Sequence, residues 1–453
     1  MIAPARLAAY DVLRAVSTGR ADLPAALARA RERLSDERDR ALAGEIAAGT
    51  LRWQGAYDAV IAAFAKRPVA KLDPEVLDIL RMTAFQLLHL DRIPASAAVN
   101  DAVNLARKAG KQSASGLVNA VLRRISRERA HLPLPPRPAT TPSRAAAVDY
   151  LATTLSHPAW LVARWFERYG FEDAEAWAWF DNSPPSLTLR ANTLQISRDS
   201  LADRFAALGI ETEPGRFARD ALSVRTGNPL LTPLANAGLF SVQDESSQLV
   251  AQLTGVQPGE RVLDACASPG GKTTAMAAAM RDEGLIVATD VRGRRVDLLR
   301  RTIESAGARC ARVVQADVSG VLPFSIRFDC VLLDAPCSGL GTLRRDPDIR
   351  WRRSPDDFAR FAALQTRMLG RAAEVTAPGG RLVYATCSSE PDENEAVVAR
   401  FLTDHPEFES APDRIPAELA RFTTADGHFR TFPFRDGLEA FFAAMLVKTK
   451  DLQ

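Results

Sequence analysis

The chain has 453 residues, a formal charge of +3 from 58 Lys+Arg and 55 Asp+Glu, and 47% hydrophobic residues. That length exceeds one ordinary domain, and the composition is that of a globular chain with ample core, not a disordered one. No apolar run is long enough to cross a bilayer. The opening MIAPARLAAYDVLRAV is broken by Arg6, Asp11 and Arg14, so it reads as an amphipathic helix rather than a signal peptide. The expected compartment is the cytoplasm.

Residues 1–130 read as an all-helical domain. In PEVLDILRMTAFQLLHL the apolar residues Val76, Leu77, Leu80, Ala84, Leu87 and Leu88 fall close to one helical face. In ASGLVNAVLRRI, Leu117, Val118, Val121, Leu122 and Ile125 do the same. Five prolines between 131 and 144 then predict a linker over 131–145, since Pro cannot continue a helix. Up to residue 145 the chain holds 23 Lys+Arg against 14 Asp+Glu, while the remainder has an acidic excess. A basic module joined to an acidic one points to a polyanionic partner for the first.

Residues 146–240 alternate in type and read as a small α/β subdomain for RNA recognition. HPAWLVARWFERYG predicts an aromatic-rich helix, SLTLRANTL an alternating strand ending near Arg190 and Asn192, and SRDSLADRFAALGI a helix. From 241 to 453 the rhythm is strand, turn, helix. RVLDA, LIVATD, RVVQAD, FDCVLLD and RLVYAT are short branched-apolar runs, several of them separated by helical segments. That alternation predicts a doubly wound, Rossmann-like parallel sheet, whose ligands bind beyond the carboxyl ends of its strands. Asp264, Asp290, Asp317, Asp334 and Cys387 all fall at such ends.

DACASPGGKTT resembles a nucleotide loop, but a P-loop needs glycine where Cys266 stands. What remains is a strand, a tight turn through Ala267, Ser268, Pro269, Gly270 and Gly271, and a helix opening at Lys272. The glycines admit a close ligand and the helix start offers free amides to an anion such as a carboxylate. Asp290 can accept from both hydroxyls of a ribose, and Asp317 from an adenine amino group. A carboxylate site, a ribose site and an adenine site in this order describe S-adenosylmethionine.

The cysteines are Cys266, Cys310, Cys330, Cys337 and Cys387. An odd number in a large chain argues against a disulfide framework. With no C-x-x-C and no H-E-x-x-H, no metal site is expected. Cys310 and Cys330 read as small core residues, whereas Cys337 and Cys387 lie in polar segments past strand ends. Methylating a pyrimidine at C5 requires a thiolate to add at C6, and either cysteine fits that role. Asp334, heading DAPCSG, is placed for the N3 and amino edge of cytosine, and in its protonated form it would donate to N3. Lys272 or a nearby Arg would favour the thiolate. Arg344, Arg345, Arg350, Arg352 and Arg353 around Trp351 suggest phosphate contact and base stacking on RNA.

DACASPGGKT, DAPCSGLGTLRRDPDIRW and YATCSSEPDENEAVV together resemble the signature motifs of the Sun-type RNA 5-methylcytosine methyltransferases, as does SVQDESSQLV. The N-terminal stretches DRALAGEIAAGTLRW and GLVNAVLRRI are similar to a NusB-type RNA-binding domain. The resemblance spans nearly the whole chain and lies nearest the branch acting on 16S ribosomal RNA. It implies S-adenosyl-L-methionine as cofactor, Cys387 as the nucleophile and Cys337 as the residue assisting product release. It also implies cofactor contacts from Cys266 through Lys272, Asp290, Asp317 and Asp334. The expected state is a monomer. The sequence departs from the family at Ser268, Phe434 and Glu439-Ala440. The alternatives are the same chemistry on tRNA or another ribosomal site, and a non-catalytic RNA-binding assembly factor.

Overall fold

The structure, a computed structural model, describes residues 2–139 and 141–449. Met1, Thr140 of the expected linker and residues 450–453 lie outside the described residues. The chain forms two compact units: Met1–Pro184 with Leu343–Arg353, and Pro185–Thr342 with Ser354–Gln453. Among the described residues no helix is long and apolar enough to cross a membrane.

The first unit is helical: α1 (Pro4–Ser17), α2 (Leu23–Arg33), α3 (Glu37–Arg52), α4 (Gln54–Ala65), α5 (Pro74–His89), α6 (Ala95–Lys108), α7 (Ser115–Arg127), α8 (Arg144–Asp149) and α9 (Ala159–Asn182). Prolines at the first turns of α1, α2 and α5, and Asp22 and Asp36 accepting from first-turn amides of α2 and α3, set where the helices begin. The single apolar face expected for α5 is not what the chain builds. α5 packs against α1, α3, α4, α6 and α7, so Ile79, Met82 and Phe85 are buried as well, while Leu77 and Leu88 are half-buried. The polar residues this encloses are satisfied. Asp78 accepts from Arg14 (2.8 Å) and Ser17 (2.9 Å), and Gln86 accepts from Arg6 (2.7 Å). Gly49 on α3 lets Phe85 approach so closely that a Cβ there would lie 2.1 Å from the ring.

Residues 146–184, placed by the sequence reading with the following strands, are helical here and fall in the first unit. The proline-rich segment before them docks on α9, where Arg137 pairs with Glu175 (2.6 Å) and Glu172 (2.9 Å).

The second unit opens with a small antiparallel sheet in the order β2 (Glu211–Pro214), β3 (Ala221–Thr226), β1 (Thr188–Ala191), β4 (Phe240–Val242), with helix α10 (Arg198–Ala206). The alternation expected of β1 is absent, because all four of its residues are buried. It is a central strand, and Arg190 is consumed internally by Gln243 (2.7 Å) and Thr274 (2.6 Å).

After α11 (Glu245–Leu253) the chain lays down β5 (Arg261–Ala265), α12 (Gly271–Ala279), β6 (Leu285–Asp290), α13 (Gly293–Ala306), β7 (Ala311–Gln315) and β8 (Phe328–Asp334). It passes through the first unit, where Ile349–Arg352 form the short helix α14. It returns as α15 (Asp357–Val375), β9 (Thr376–Thr386), α16 (Glu395–Asp404), β10 (Phe408–Ser410), β11 (Phe429–Arg430), α17 (Pro433–Asp436) and β12 (Phe442–Lys448). The large sheet runs β10-β12-β9-β8-β5-β6-β7, with β11 on β12. The five strands β9 to β7 are parallel, as expected, but β12 is antiparallel to β9, and β10 and β11 pair antiparallel to β12, so the sheet is mixed. The chain leaves β5 towards β6 and β7, then crosses back to β8. That reversal opens a crevice beyond the carboxyl ends of β5 and β8.

Candidate active site

Two turns enter that crevice. The first follows β5. Cys266 adopts φ 81° and Gly270 φ 108°, which turns the backbone sharply before α12 begins. A Cβ at Gly270 would lie 3.0 Å from Leu299 of α13, so helix and turn pack with no room to spare. The first amides of α12 have no acceptor within the helix and open onto the turn. The turn is strapped to the next strand by a residue the sequence reading did not single out. Arg295 of α13 donates to the Ser268 carbonyl (2.7 Å) and to Asp290 (3.0 Å), and the Ser268 hydroxyl donates back to the Arg295 carbonyl (3.0 Å). The family departure at Ser268 therefore adds a bond to this strap.

The acidic residues differ in environment. Asp290, ending β6, is buried and also accepts from the Arg292 amide. Asp317 lies two residues past β7 and is exposed. Bonds from the Ser319 hydroxyl and amide hold its carboxyl below the usual range. Asp334, ending β8, accepts from the Lys272 ammonium at 2.7 Å through one oxygen. Burial pushes Lys272 down, but Asp334, Asp264 and Cys387 around it outweigh this and hold it protonated above its ordinary range. Burial, then Asp334, Asp290 and Asp264, push the Cys266 thiol upward, so it stays neutral at the centre of these carboxylates.

Asp264 is fully buried and accepts from Thr273 at 2.6 Å, while its other oxygen has no partner. Burial raises it to about 7, against the opposing pull of Thr273 and Lys272. A raised carboxyl pKa means the folded chain holds this proton more tightly than the unfolded one, where the value is about 3.9. The resulting stabilisation is complete below the unfolded value and is lost as pH rises through about 7. Asp264→Asn is therefore expected to flatten the decline of the unfolding midpoint between roughly pH 4 and 7. An unchanged decline relative to the parent protein would contradict this.

The second turn follows β8 and meets the loop after β9. The Sγ atoms of Cys337 and Cys387 stand 3.3 Å apart, both half-buried. The hydrogen bond with Cys387 is the largest cause raising the Cys337 thiol well above its ordinary value, with burial next, so Cys337 favours its protonated form. Cys310 and Cys330 are buried, as expected of small core residues. The Gly341 amide donates to the Cys387 carbonyl (2.9 Å), and a Cβ at Gly341 would lie 1.9 Å from the Ala440 carbonyl oxygen. The divergent segment at Glu439-Ala440 thus buttresses the Cys337 loop through its backbone.

The arginine-rich stretch after Cys337 does not behave as a nucleic-acid surface throughout. Arg350 is fully buried in the first unit, donating to the carbonyls of Arg52, Ser156 and Asp181 and to the side chain of Asn182 (2.9 Å). Trp351 donates to the Leu51 carbonyl (2.7 Å). Arg344 donates to the Pro184 carbonyl (2.7 Å), and Arg352 pairs with Asp348 (3.1 Å). The expectation that Arg350 contacts RNA is corrected. Backbone carbonyls that need donors, not phosphates, take up this guanidinium.

SVQDESSQLV also finds its use. Asp244 caps α11, and Glu245 accepts from the amides of Arg216 (3.2 Å), Phe217 (2.8 Å) and Ala218 (2.9 Å).

A switch-point crevice holding a glycine turn, strand-end aspartates and a thiol pair, on a mixed sheet flanked by helices, is the arrangement of an α/β methyltransferase. Residues 251–447 match the family described as 16S rRNA methyltransferase RsmB/F, residues 3–127 the NusB family, and residues 157–230 the ferredoxin-like domain of RsmF/B-like methyltransferases. The "Probable ribosomal RNA small subunit methyltransferase B" of Bacillus subtilis is 38% identical over 83% of this chain and 82% of its own length. Ribosomal RNA small subunit methyltransferase B of Pseudomonas putida is 36% identical over 88% and 89%. The crystal structure of PH0851 superposes with a TM-score of 0.80 at 25% identity, covering 99% of each chain. The chain belongs to the RsmB/F family of 16S ribosomal RNA methyltransferases, whose methyl donor is S-adenosylmethionine.

Proposed function

We propose that the protein transfers a methyl group from S-adenosylmethionine to C5 of a cytosine in 16S ribosomal RNA, through a covalent bond between Cys387 and C6. The observation that carries this reading is the 3.3 Å thiol pair beside the Lys272–Asp334 ion pair.

The residues fit the cofactor. The open amides of α12 suit its carboxylate, the buried Asp290 suits a ribose diol, and the exposed Asp317 keeps one oxygen for an amino group. When bound, S-adenosylmethionine supplies an electrophilic methyl group. Cys387 adds to C6, which makes C5 electron-rich enough to take that methyl. Lys272, held in place by Asp334, and not a protonated Asp334 donating to the ring, meets the N3 edge and neutralises the negative charge that develops there. A base such as water then takes the C5 proton, and the freed electron pair re-forms the C5–C6 double bond as the Cys387 sulfur leaves. Cys337, which retains its proton and touches Cys387, assists this release.

Residues 1–130 and 146–240 are assigned to holding RNA, and 241–453 to the chemistry. The groove between α6 and α7 supports the first assignment. Arg107, Arg123 and Arg127 line it together with Asn100 and Asn119, and no acidic side chain lines it. A ribosomal RNA substrate places the protein in the cytoplasm, and one chain carries every residue named, so a monomer suffices.

Saturating S-adenosylmethionine is expected to raise the unfolding midpoint. At a hundred times the dissociation constant the stabilisation is about 2.7 kcal/mol. No shift would contradict the cofactor assignment. Bisulfite sequencing of 16S RNA from a deletion strain should show one cytosine losing protection, restored by the wild-type gene but not by Cys387→Ala. Full protection in the deletion strain would overturn the substrate assignment.

A further inference from the structure

The segment after Cys387, SSEPDENEAVV, contains a buried carboxylate that the mechanism above does not use. Glu393 sits in a short 3-10 turn between β9 and α16 with no exposed surface. One oxygen accepts from the Ser338 amide (2.8 Å) and from Gln365 of α15 (3.1 Å). The other accepts from the Ser388 hydroxyl (2.6 Å). Ser338 immediately follows Cys337, and Ser388 immediately follows Cys387, so one carboxylate holds the neighbours of both sulfurs.

The surroundings hold Glu393 in place. Tyr384 donates to its carbonyl (2.6 Å), Gln365 also donates to the Pro336 carbonyl (3.0 Å), and Asn394 bridges Thr386 (2.5 Å) and the Ser388 carbonyl (2.9 Å). The two serine hydroxyls lie 3.1 Å apart. Burying a carboxylate is costly unless its lone pairs are used. Here they are spent on two loops that the sheet brings together only at their ends.

We propose that Glu393 is a positioning residue that clamps the Cys337 and Cys387 loops so that both sulfurs reach one pyrimidine ring. This rests on the reading of Cys387 and Cys337 given above. The charge of Glu393 has the further effect of adding to the forces that keep the Cys337 thiol protonated.

The test uses the full-length protein and two independent readouts. Phenylarsine oxide reacts with two adjacent thiols to give a cyclic dithioarsenite and water, so its retention against a competing monothiol reports the sulfur pair without reference to catalysis. Wild type is expected to retain one equivalent, and Cys337→Ser none. Glu393→Ala is expected to lose retention and to lower kcat about 100-fold, the scale of a misplacement near 1 Å. Its KM for S-adenosylmethionine should stay unchanged. Glu393→Gln can still accept from the Ser338 amide and can donate to Ser388, so it should restore retention and most of kcat. Ser388→Ala removes only the arm to the Cys387 loop and should weaken both readouts. It decides the matter should Glu393→Ala fail to fold.

Wild-type retention and kcat in Glu393→Ala, or in Ser388→Ala where only that variant folds, would overturn the clamp. An RNA adduct trapped by Cys337→Ala, with retention insensitive to position 393, would sink the clamp and leave the catalytic reading standing. Retention that depends on Glu393 in a protein whose Cys337→Ala variant traps no RNA adduct would do the reverse.

Discussion

Cys387→Ala is expected to abolish methyl transfer, by roughly 10⁴-fold or more, and to form no covalent complex with RNA. Cys337→Ala is expected to lose turnover too, but to accumulate a protein–RNA complex that survives denaturation. The asymmetry is what the family resemblance implies, and the surroundings of the two sulfurs support it. The two sulfurs touch at 3.3 Å, yet their surroundings differ, because the hydrogen bond with Cys387, burial and the Glu393 charge all raise the Cys337 thiol. Cys387 is the sulfur proposed to attack, and the Lys272 positive charge lies among its neighbours. Without Cys337 the attack still takes place, while release of the methylated base is impaired. Denaturing gel electrophoresis with labelled RNA separates the two behaviours. Equal, adduct-free loss in both variants would refute the division of labour.

Arg350→Met is expected to destabilise the first unit by about 3–5 kcal/mol, the usual effect of breaking a buried charged network. For a unit of this size that lowers its unfolding transition by roughly 10 °C. Arg350 has no exposed surface and serves three backbone carbonyls and Asn182. Beside it lie His157, which burial and the Arg350 charge keep neutral, and Asp181, which burial raises to about 7 while Arg350 pulls it down. Methionine fills part of the volume but leaves every acceptor without its donor. Arg350→Lys should recover only a fraction, since one ammonium cannot reach acceptors arranged around a planar fork. Calorimetry of the full-length protein reads the effect. A transition within 2 °C of wild type (roughly 1 kcal/mol or less), with weakened RNA affinity, would restore the phosphate-contact reading of this residue.

The contrast between Arg350 and Cys387 shows what the sequence could disclose. Strand ends are legible because branched apolar runs stop abruptly at Asp264, Asp290, Asp334 and Cys387, and a parallel sheet gathers such ends along one edge. The glycine turn is legible because few residues tolerate its backbone. Arg350 was not, because a guanidinium in a string of arginines carries no mark of the carbonyls it meets some 170 to 300 positions earlier. The burial of α5 on nearly every side was missed for a related reason. Asp78 and Gln86 look solvent-facing until Arg14 and Arg6 of α1 are brought to them. The antiparallel β12 lay in FFAAMLVK, an apolar run whose direction no local pattern states. Glu393 stood inside a motif that resemblance singled out, but its function depends on a partner from the Cys337 loop, 55 residues away.

The central claim is that one sulfur forms the bond to the pyrimidine, and the most direct measurement locates that bond. The complex trapped by Cys337→Ala is digested with nuclease and protease, and the peptide bearing the nucleotide is sequenced by tandem mass spectrometry. A cytidine adduct on Cys387 is the predicted result. Attachment at Cys266, or at any residue outside the loop after β9, would contradict the account.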